Sequence, residues 1–454
     1  MNLFRRHKNG SSEQGQILPM VAVFLLVILL FVAMGIDLGY AYVTKANLSK
    51  AVDAAALRGM LNIAQGTTTA GNIAASVFAA NYQTSGRDST APTPTVTWNP
   101  PTPTFGVQQQ IQVTATTTIN TFFARIVPSL QTLTVSDTAQ STRANVMMAL
   151  VLDHSRSMTL NGGQQALPPA VTTFLSYFSD QLDQAAETGF GDSGSLDVTM
   201  RHPFTSDITS FVNGLIFTGG TYAQGGLDNA ALALCGWAVP GTYPYTGTAC
   251  PVVPNTTKVV VFFTDGWANS NYDVLNNQPG GGGCPSTPVY YGGCAWDEDQ
   301  AGWCGTQNGQ NTLYPPYIGV WDSNGNNVRG CAPSTFPSKA GNPTALDNPQ
   351  DAETNVPNDA MYRAMTWANA MRAQGVLVYA VGLGDKISQP FLYQMANDPS
   401  GTAFEGFAYN SGTPQGLAEF AVDCPDQAGK PSCASELNQA FQTIATDILL
   451  KITQ

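Results

Sequence analysis

The chain has 454 residues, long enough for two or three domains, and 43% apolar content sustains a packed core and excludes a single disordered tail. Only 11% of residues are charged and the formal balance is −12, so the basic face required by a nucleic-acid partner is missing and no nucleic acid is expected.

Ile17 to Ile36 carries no charge and is long enough, at roughly 30 Å of helix, to cross a bilayer core. Pro19 falls in its first turn, where it is tolerated. Arg5, Arg6 and Lys8 precede the span and Asp37 follows it, so residues 1–16 read as a cytoplasmic tail and everything after Asp37 as exported. The rival is a cleaved signal peptide. The apolar run is longer than a usual signal core and Ala33-Met34-Gly35 is a poor cleavage site, which favours a retained anchor.

From Leu38 to about Tyr82 an alanine-rich helical pattern continues, with Leu48, Ala51, Val52, Ala55 and Ala56 forming one apolar stripe between polar positions. Gly86 to Pro103, rich in Thr and Pro, reads as a linker or irregular edge segment. Gln110–Ile119 and Leu133–Thr142 alternate as half-buried strands do, with a short apolar turn or helix at Thr121–Ile126 between them. Residues 37–143 thus form a small α+β stalk.

A third region, residues 144–454, opens on Met147-Met148-Ala149-Leu150-Val151-Leu152-Asp153, a continuous apolar run of the kind buried on both faces of a parallel sheet. Asp153 then stands at a strand's carboxyl end, and Asp153-x-Ser155-x-Ser157 sets one carboxylate and two hydroxyls on one short loop. Lys258–Asp265 repeats the pattern of a buried strand ending in aspartate, and Gly219-Gly220-Thr221 leads into a helical pattern from about Ala223 to Trp237. Open α/β sheets bind ligands at that edge, and hard oxygen ligands suit an octahedral divalent ion such as Mg²⁺. The bland alternative is that Asp153 and the serines only cap the next helix. Ala185–Val198, where the next strand belongs, is polar and Gly-rich with no clear boundaries. Further helical patterns lie at Pro168–Leu182, Ile208–Leu215, Asp359–Gln374, Ser388–Ala396 and Ser435–Ile452, and Val376–Val381 is another buried strand. The alternation predicts an α/β fold with a doubly wound, mostly parallel, Rossmann-like sheet.

All eight cysteines follow the span, and an even number on the exported side reads as disulfides. Neighbours in sequence suggest Cys235 with Cys250 and Cys424 with Cys433. Cys284, Cys294, Cys304 and Cys331 fall in an irregular stretch, about 267–356, that reads as a disulfide-rich insertion. Within it, Trp321 to Val328 reads as an Asn-Gly hairpin rather than a calcium loop, and Asp297-Glu298-Asp299 as a solvated acidic turn. Zinc is disfavoured: there is no Cys-x-x-Cys and almost no histidine. No hydrolase or phosphate-cradling motif is present, so no catalytic residue is assigned.

Two resemblances follow from these motifs. Asp153-x-Ser155-x-Ser157, Thr221 and Asp265, in this order, resemble the von Willebrand factor type A (VWA) domain with its metal-ion-dependent adhesion site. That resemblance implies Asp153, Ser155, Ser157, Thr221 and Asp265 around one Mg²⁺ or Mn²⁺. The family usually has Gly where this chain has Arg156, a cation that weakens metal binding if it points inward and lies in solvent if it points out. Gly15-Gln16-Ile17, Gly35 to Tyr40 and Leu48 to Leu57 resemble the N-terminal segment of TadG-like proteins of Tad (Flp) pilus assembly, over roughly the first sixty residues. Together they imply a single-pass component of the bacterial inner membrane whose C-terminal domain is periplasmic or extracellular. Its expected partner is a pilus or envelope protein offering a carboxylate to the metal. The alternative is a surface adhesin or matrix-binding VWA protein with no role in pili.

Overall fold

The computed structural model describes residues 17–84, 92–159, 162–237, 249–266, 349–384, 387–403, 409–422 and 432–453, together with positions 86, 88 and 268 and short strand pieces between 270 and 328. The chain forms two compact units. One holds the chain up to Asn62 with Thr67–Asn99 and Gln110–Ser141; the other holds Ile63–Gly66, Pro100–Gln109 and the chain from Thr142 onward.

In the first unit, the helix α1 (Ile17–Leu61) runs unbroken from the apolar span into the alanine-rich stretch. The continuous helical pattern to Tyr82 does not stay one helix. It breaks after Leu61, turns through Gly66 at φ +88°, and returns as α2 (Thr67–Asn81), packed on α1. Glycine takes that left-handed angle without a Cβ penalty, and small side chains let the two helices approach closely. A Cβ on Gly59 would come within 3.0 Å of the Ala74 methyl and 2.6 Å of Ile111 Cδ1. Ala51, Ala55, Ala70, Ala74 and Phe78 are buried in this unit. The Thr/Pro-rich stretch contains an edge strand, β1 (Thr95–Asn99), antiparallel to β2 (Gln109–Asn120), with β3 (Thr132–Arg143) on β2's other side. Alternation places Ile111, Val113 and Ala115 on the buried face of β2.

In the second unit, six strands form one sheet: β4 (Asn145–Asp153), β5 (Gln184–Phe190), β6 (Gly194–Arg201), β7 (Thr256–Thr264), β8 (Leu377–Leu383) and β9 (Ala418–Ala421), in the spatial order β9-β8-β7-β4-β5-β6. Every pair is parallel except β5 with β6. The polar stretch at 185–198 is therefore a hairpin whose outer arm is an antiparallel edge. Helices α3 (Gly163–Leu175), α4 (Thr205–Asn213), α5 (Ala223–Cys235), α6 (Pro349–Ala373), α7 (Gln389–Ala396) and α8 (Ser432–Ile452) cover the sheet. Val151, Phe190, Leu227, Phe262, Trp367 and Val378 join one core cluster with α5, α6 and α7. Elsewhere Phe441 of α8 meets Phe174 of α3 and Phe263 of β7, at ring centroids 5.3 and 6.0 Å apart. The observed architecture is a mixed α/β sheet of mostly parallel strands, each buried run of the sequence forming a strand because both its faces are covered.

Cys235 and Cys250 form a disulfide with Cα atoms 4.5 Å apart. The pairings of the other six cysteines, and with them the disulfide-rich character of residues 267–356, lie outside the described side chains, as does the Asp297-Glu298-Asp299 turn. Val320–Trp321 pairs antiparallel with Asn327–Val328, as the Asn-Gly hairpin requires.

Candidate functional site

Parallel register brings the first and third motifs together. Leu152 of β4 lies opposite Phe263 of β7, so both strands end at one sheet edge, with Asp153 beside Thr264. Asp153 is fully buried; one carboxylate oxygen accepts the Ser155 N–H at 2.8 Å and the other accepts the Thr264 hydroxyl at 2.6 Å. The Ser155 and Ser157 hydroxyls are 2.8 Å apart, and Ser157 donates to Asp265 Oδ1 at 2.7 Å. Asp265, like Asp153, has no exposed surface.

The second motif is tied to the first through backbone. Thr218 N–H donates to the His154 carbonyl at 2.9 Å, and Arg156 N–H donates to the Gly219 carbonyl at 3.1 Å. Gly219 takes φ +81°, and the Asp192 carboxylate sits where a Cβ there would lie. Asp192 also accepts the Gly220 N–H at 2.8 Å, so it fixes the turn that presents Thr221, itself buried. The Arg156 side chain is exposed, which resolves its two orientations in favour of solvent. His154 leans instead over the sheet, in space left by Gly189 and Gly191, where a Cβ would fall 2.5 and 3.3 Å from its ring nitrogens.

Two residues that organise this edge escape the motif reading. Thr264 orients Asp153, and the signal available was a hydroxyl closing a buried apolar strand one position before Asp265. Asp192 stands between Gly191 and Ser193 in a stretch whose polarity hid its strands, and nothing local marks it.

Burial pushes the Asp153 carboxyl above its ordinary pKa, against the hydrogen bonds from Ser155 and Thr264 that favour the charged form. A cation at this edge would relieve that cost. Among the described residues, no three His, Cys, Asp or Glu side chains gather as metal ligands. A divalent ion held by the predicted set would rest on two carboxylates and three hydroxyls, all hard oxygen donors of the class that Mg²⁺ and Mn²⁺ accept. The donor set fits such an ion.

Residues 15–66 match the family model described as putative Flp pilus-assembly TadE/G-like. No curated protein sequence matches the chain. Among solved structures, the vWF domain of the type V pili tip protein Mfa5 from Porphyromonas gingivalis is similar at 16% identity and TM-score 0.37, covering 68% of this chain and 97% of that one. Proximal thread matrix protein 1 from the mussel byssus is similar at 13% identity and TM-score 0.33, over 69% of this chain; this chain spans 47% of that protein. The pilus adhesin SpaC from Lactobacillus rhamnosus GG is similar at 16% identity and TM-score 0.36, over 80% of this chain and 35% of its own length.

Proposed function

We propose that the protein is a membrane-anchored, extracytoplasmic component of Tad/Flp pilus assembly, and that its second unit is a VWA-type domain binding a protein partner through a divalent cation. One observation carries the binding site: the first and third motifs, more than a hundred residues apart, meet at one sheet edge through the Ser157–Asp265 and Asp153–Thr264 hydrogen bonds, and the loop before Thr221 is tied to the first by backbone hydrogen bonds. The Tad family match over residues 15–66 supports the pilus setting over an unrelated adhesin. The apolar stretch of α1 is long enough to span a bilayer and supports a single-pass anchor.

In this reading Asp153, Ser155, Ser157, Thr221 and Asp265 would hold Mg²⁺ or Mn²⁺. A bound ion would supply an electrophilic position for a carboxylate of a pilus or envelope protein. The chain's own residues do the positioning. Thr264 holds Asp153, Asp192 holds the Gly219–Thr221 turn, and Arg156 leaves the loop open by turning outward. Ser155 and Ser157 are engaged with each other and with Asp265, an arrangement that supports binding rather than nucleophilic catalysis.

Calorimetric titration of Mg²⁺ and Mn²⁺ into the detergent-solubilised full chain tests the site. Saturable binding is expected, lost in Asp153→Ala and kept in Arg156→Gly, whose side chain already lies in solvent. Unchanged binding in Asp153→Ala sinks the assignment, and capture of an envelope partner that persists in EDTA sinks the metal-dependent mechanism.

A further inference from the structure

In the first unit, the loop between β2 and β3 folds back alongside the apolar part of α1. Phe123, Ile126 and Leu130 line a groove of about 700 Å³ together with Leu26, Leu30 and Ala33 of the helix. At 1.5 Å per residue, Leu26 lies about 16 Å along the helix axis from Asp37, so the loop flanks a substantial length of the apolar span. Its side chains face outward: Ile126 is 81% exposed, and Phe123, Val127 and Leu130 are each more than 40% exposed. Four large apolar residues exposed on one short loop would be an expensive surface in water.

Six of the eight backbone N–H groups of residues 122–130 have partners within this unit. Asp37, at the end of the apolar span, is buried and accepts the N–H groups of Phe122, Phe123 and Ala124 at 2.6, 3.1 and 2.7 Å. Ile126 N–H donates to Phe123, Val127 to Ala124 and Leu130 to Val127, while Thr121 N–H donates to Gln131 and Pro128 has no N–H to satisfy. Non-helical backbone survives at hydrocarbon depth only when its polar groups are paired within the protein. This loop combines much of that pairing with an apolar exterior. Arg125 is exposed, and a long side chain of this kind buries its stem in apolar surroundings while its charge turns toward water. Tyr40 and Tyr42 follow the span at the level where aromatic residues meet the interface.

We propose that residues 122–130 form a second membrane-embedded element, seated beside α1 in the leaflet from which the exported chain emerges, with lipid acyl chains occupying the groove between them. The inference rests on the reading of α1 as a membrane anchor. Its continuity with that lipid-facing surface selects lipid as the occupant. The embedded loop would make the α1 anchor broader than one helix and, through Asp37, set the depth at which the first unit leaves the bilayer.

The test places a photoreactive benzophenone amino acid at Ile126 in the full chain, reconstituted in vesicles of phosphatidylethanolamine and phosphatidylglycerol. Ile126 is exposed enough to accept the replacement without loss of fold. Parallel probes go at Leu25, on the span, and at exposed Thr97 on β1, beside the start of α2, where Val96 meets Gly71. Lipid adducts are expected at Ile126 at a yield comparable to Leu25, and lost at Thr97. Adducts at Leu25 but not at Ile126 overturn the proposal and leave the anchor standing. Crosslinks from Ile126 to a second copy of the chain also overturn it, because the groove is then a protein interface. Absence of lipid adducts at both positions removes the anchor reading and this inference together.

Discussion

Glu187 sits in the middle of β5 with no exposed surface, and neither carboxylate oxygen has a hydrogen-bond partner among the described residues. Burial, and secondarily the charge of Asp197, push its pKa well above the ordinary glutamate range. The folded protein therefore holds this proton more tightly than the unfolded chain does. The resulting stability is complete below the unfolded pKa of about 4.3 and is lost as pH rises from there through the raised folded value, at no more than about 1.4 kcal/mol per pH unit. Glu187→Gln should flatten that decline relative to wild type. Thermal melts of both proteins across the range from about pH 4 to pH 8 measure it, and parallel curves would refute the assignment. The same burial made Glu187 unreadable in sequence, because a charged residue in a polar, Gly-rich stretch argues for a loop. Asp153 was readable for the opposite reason: six apolar residues lead straight into it.

Arg143, at the end of β3, and Asp183, just before β5, form an ion pair at 2.7 Å with both side chains 1% exposed. Asp183 also accepts the N–H groups of Val146 and Ser179, each at 2.8 Å, so one carboxylate joins three stretches of chain at the start of the parallel sheet. Removing it leaves a buried guanidinium uncompensated. Asp183→Ala should destabilise the protein by about 3–5 kcal/mol, read from the urea midpoint at unchanged slope; a loss below about 1 kcal/mol, typical of an exposed pair, would show that the pair is not what organises this corner. At the same scale Lys258 is buried between Leu234, Pro251 and Cys250, donating to the Leu234 carbonyl at the carboxyl end of α5 at 2.7 Å and to the Pro251 carbonyl at 2.6 Å. The longer helices and the apolar strands were legible because periodicity is local. The break at Gly66 was not, because alanine-rich stripes on both sides of it carry the same helical period.

For the whole molecule, the charge asymmetry around the span predicts orientation: Arg5, Arg6 and Lys8 stay inside and the chain beyond Asp37 is exported. In intact cells of a diderm host the proposed periplasmic chain should resist added protease, and after spheroplast formation everything beyond the span should be digested while the protein stays with the alkaline-washed membrane. Protection of the C-terminal part in spheroplasts would reverse the orientation, and release by the alkaline wash would remove the anchor.

By itself the sequence determined what depends on neighbours in the chain: the apolar span, the alanine-rich helical pattern, and the buried strands ending in Asp153 and at Thr264–Asp265; it suggested the Cys235–Cys250 pair, which the structure forms. Tertiary structure alone decided what depends on closure between distant segments. The parallel register of β4 and β7 set Thr264 against Asp153, the Gly219 turn brought Asp192 to the Thr221 loop, and Asp37 drew residues 122–124 back to the span. Local pattern reports which face of an element is apolar. Which elements then meet is settled only when their faces are buried together and their polar groups find partners.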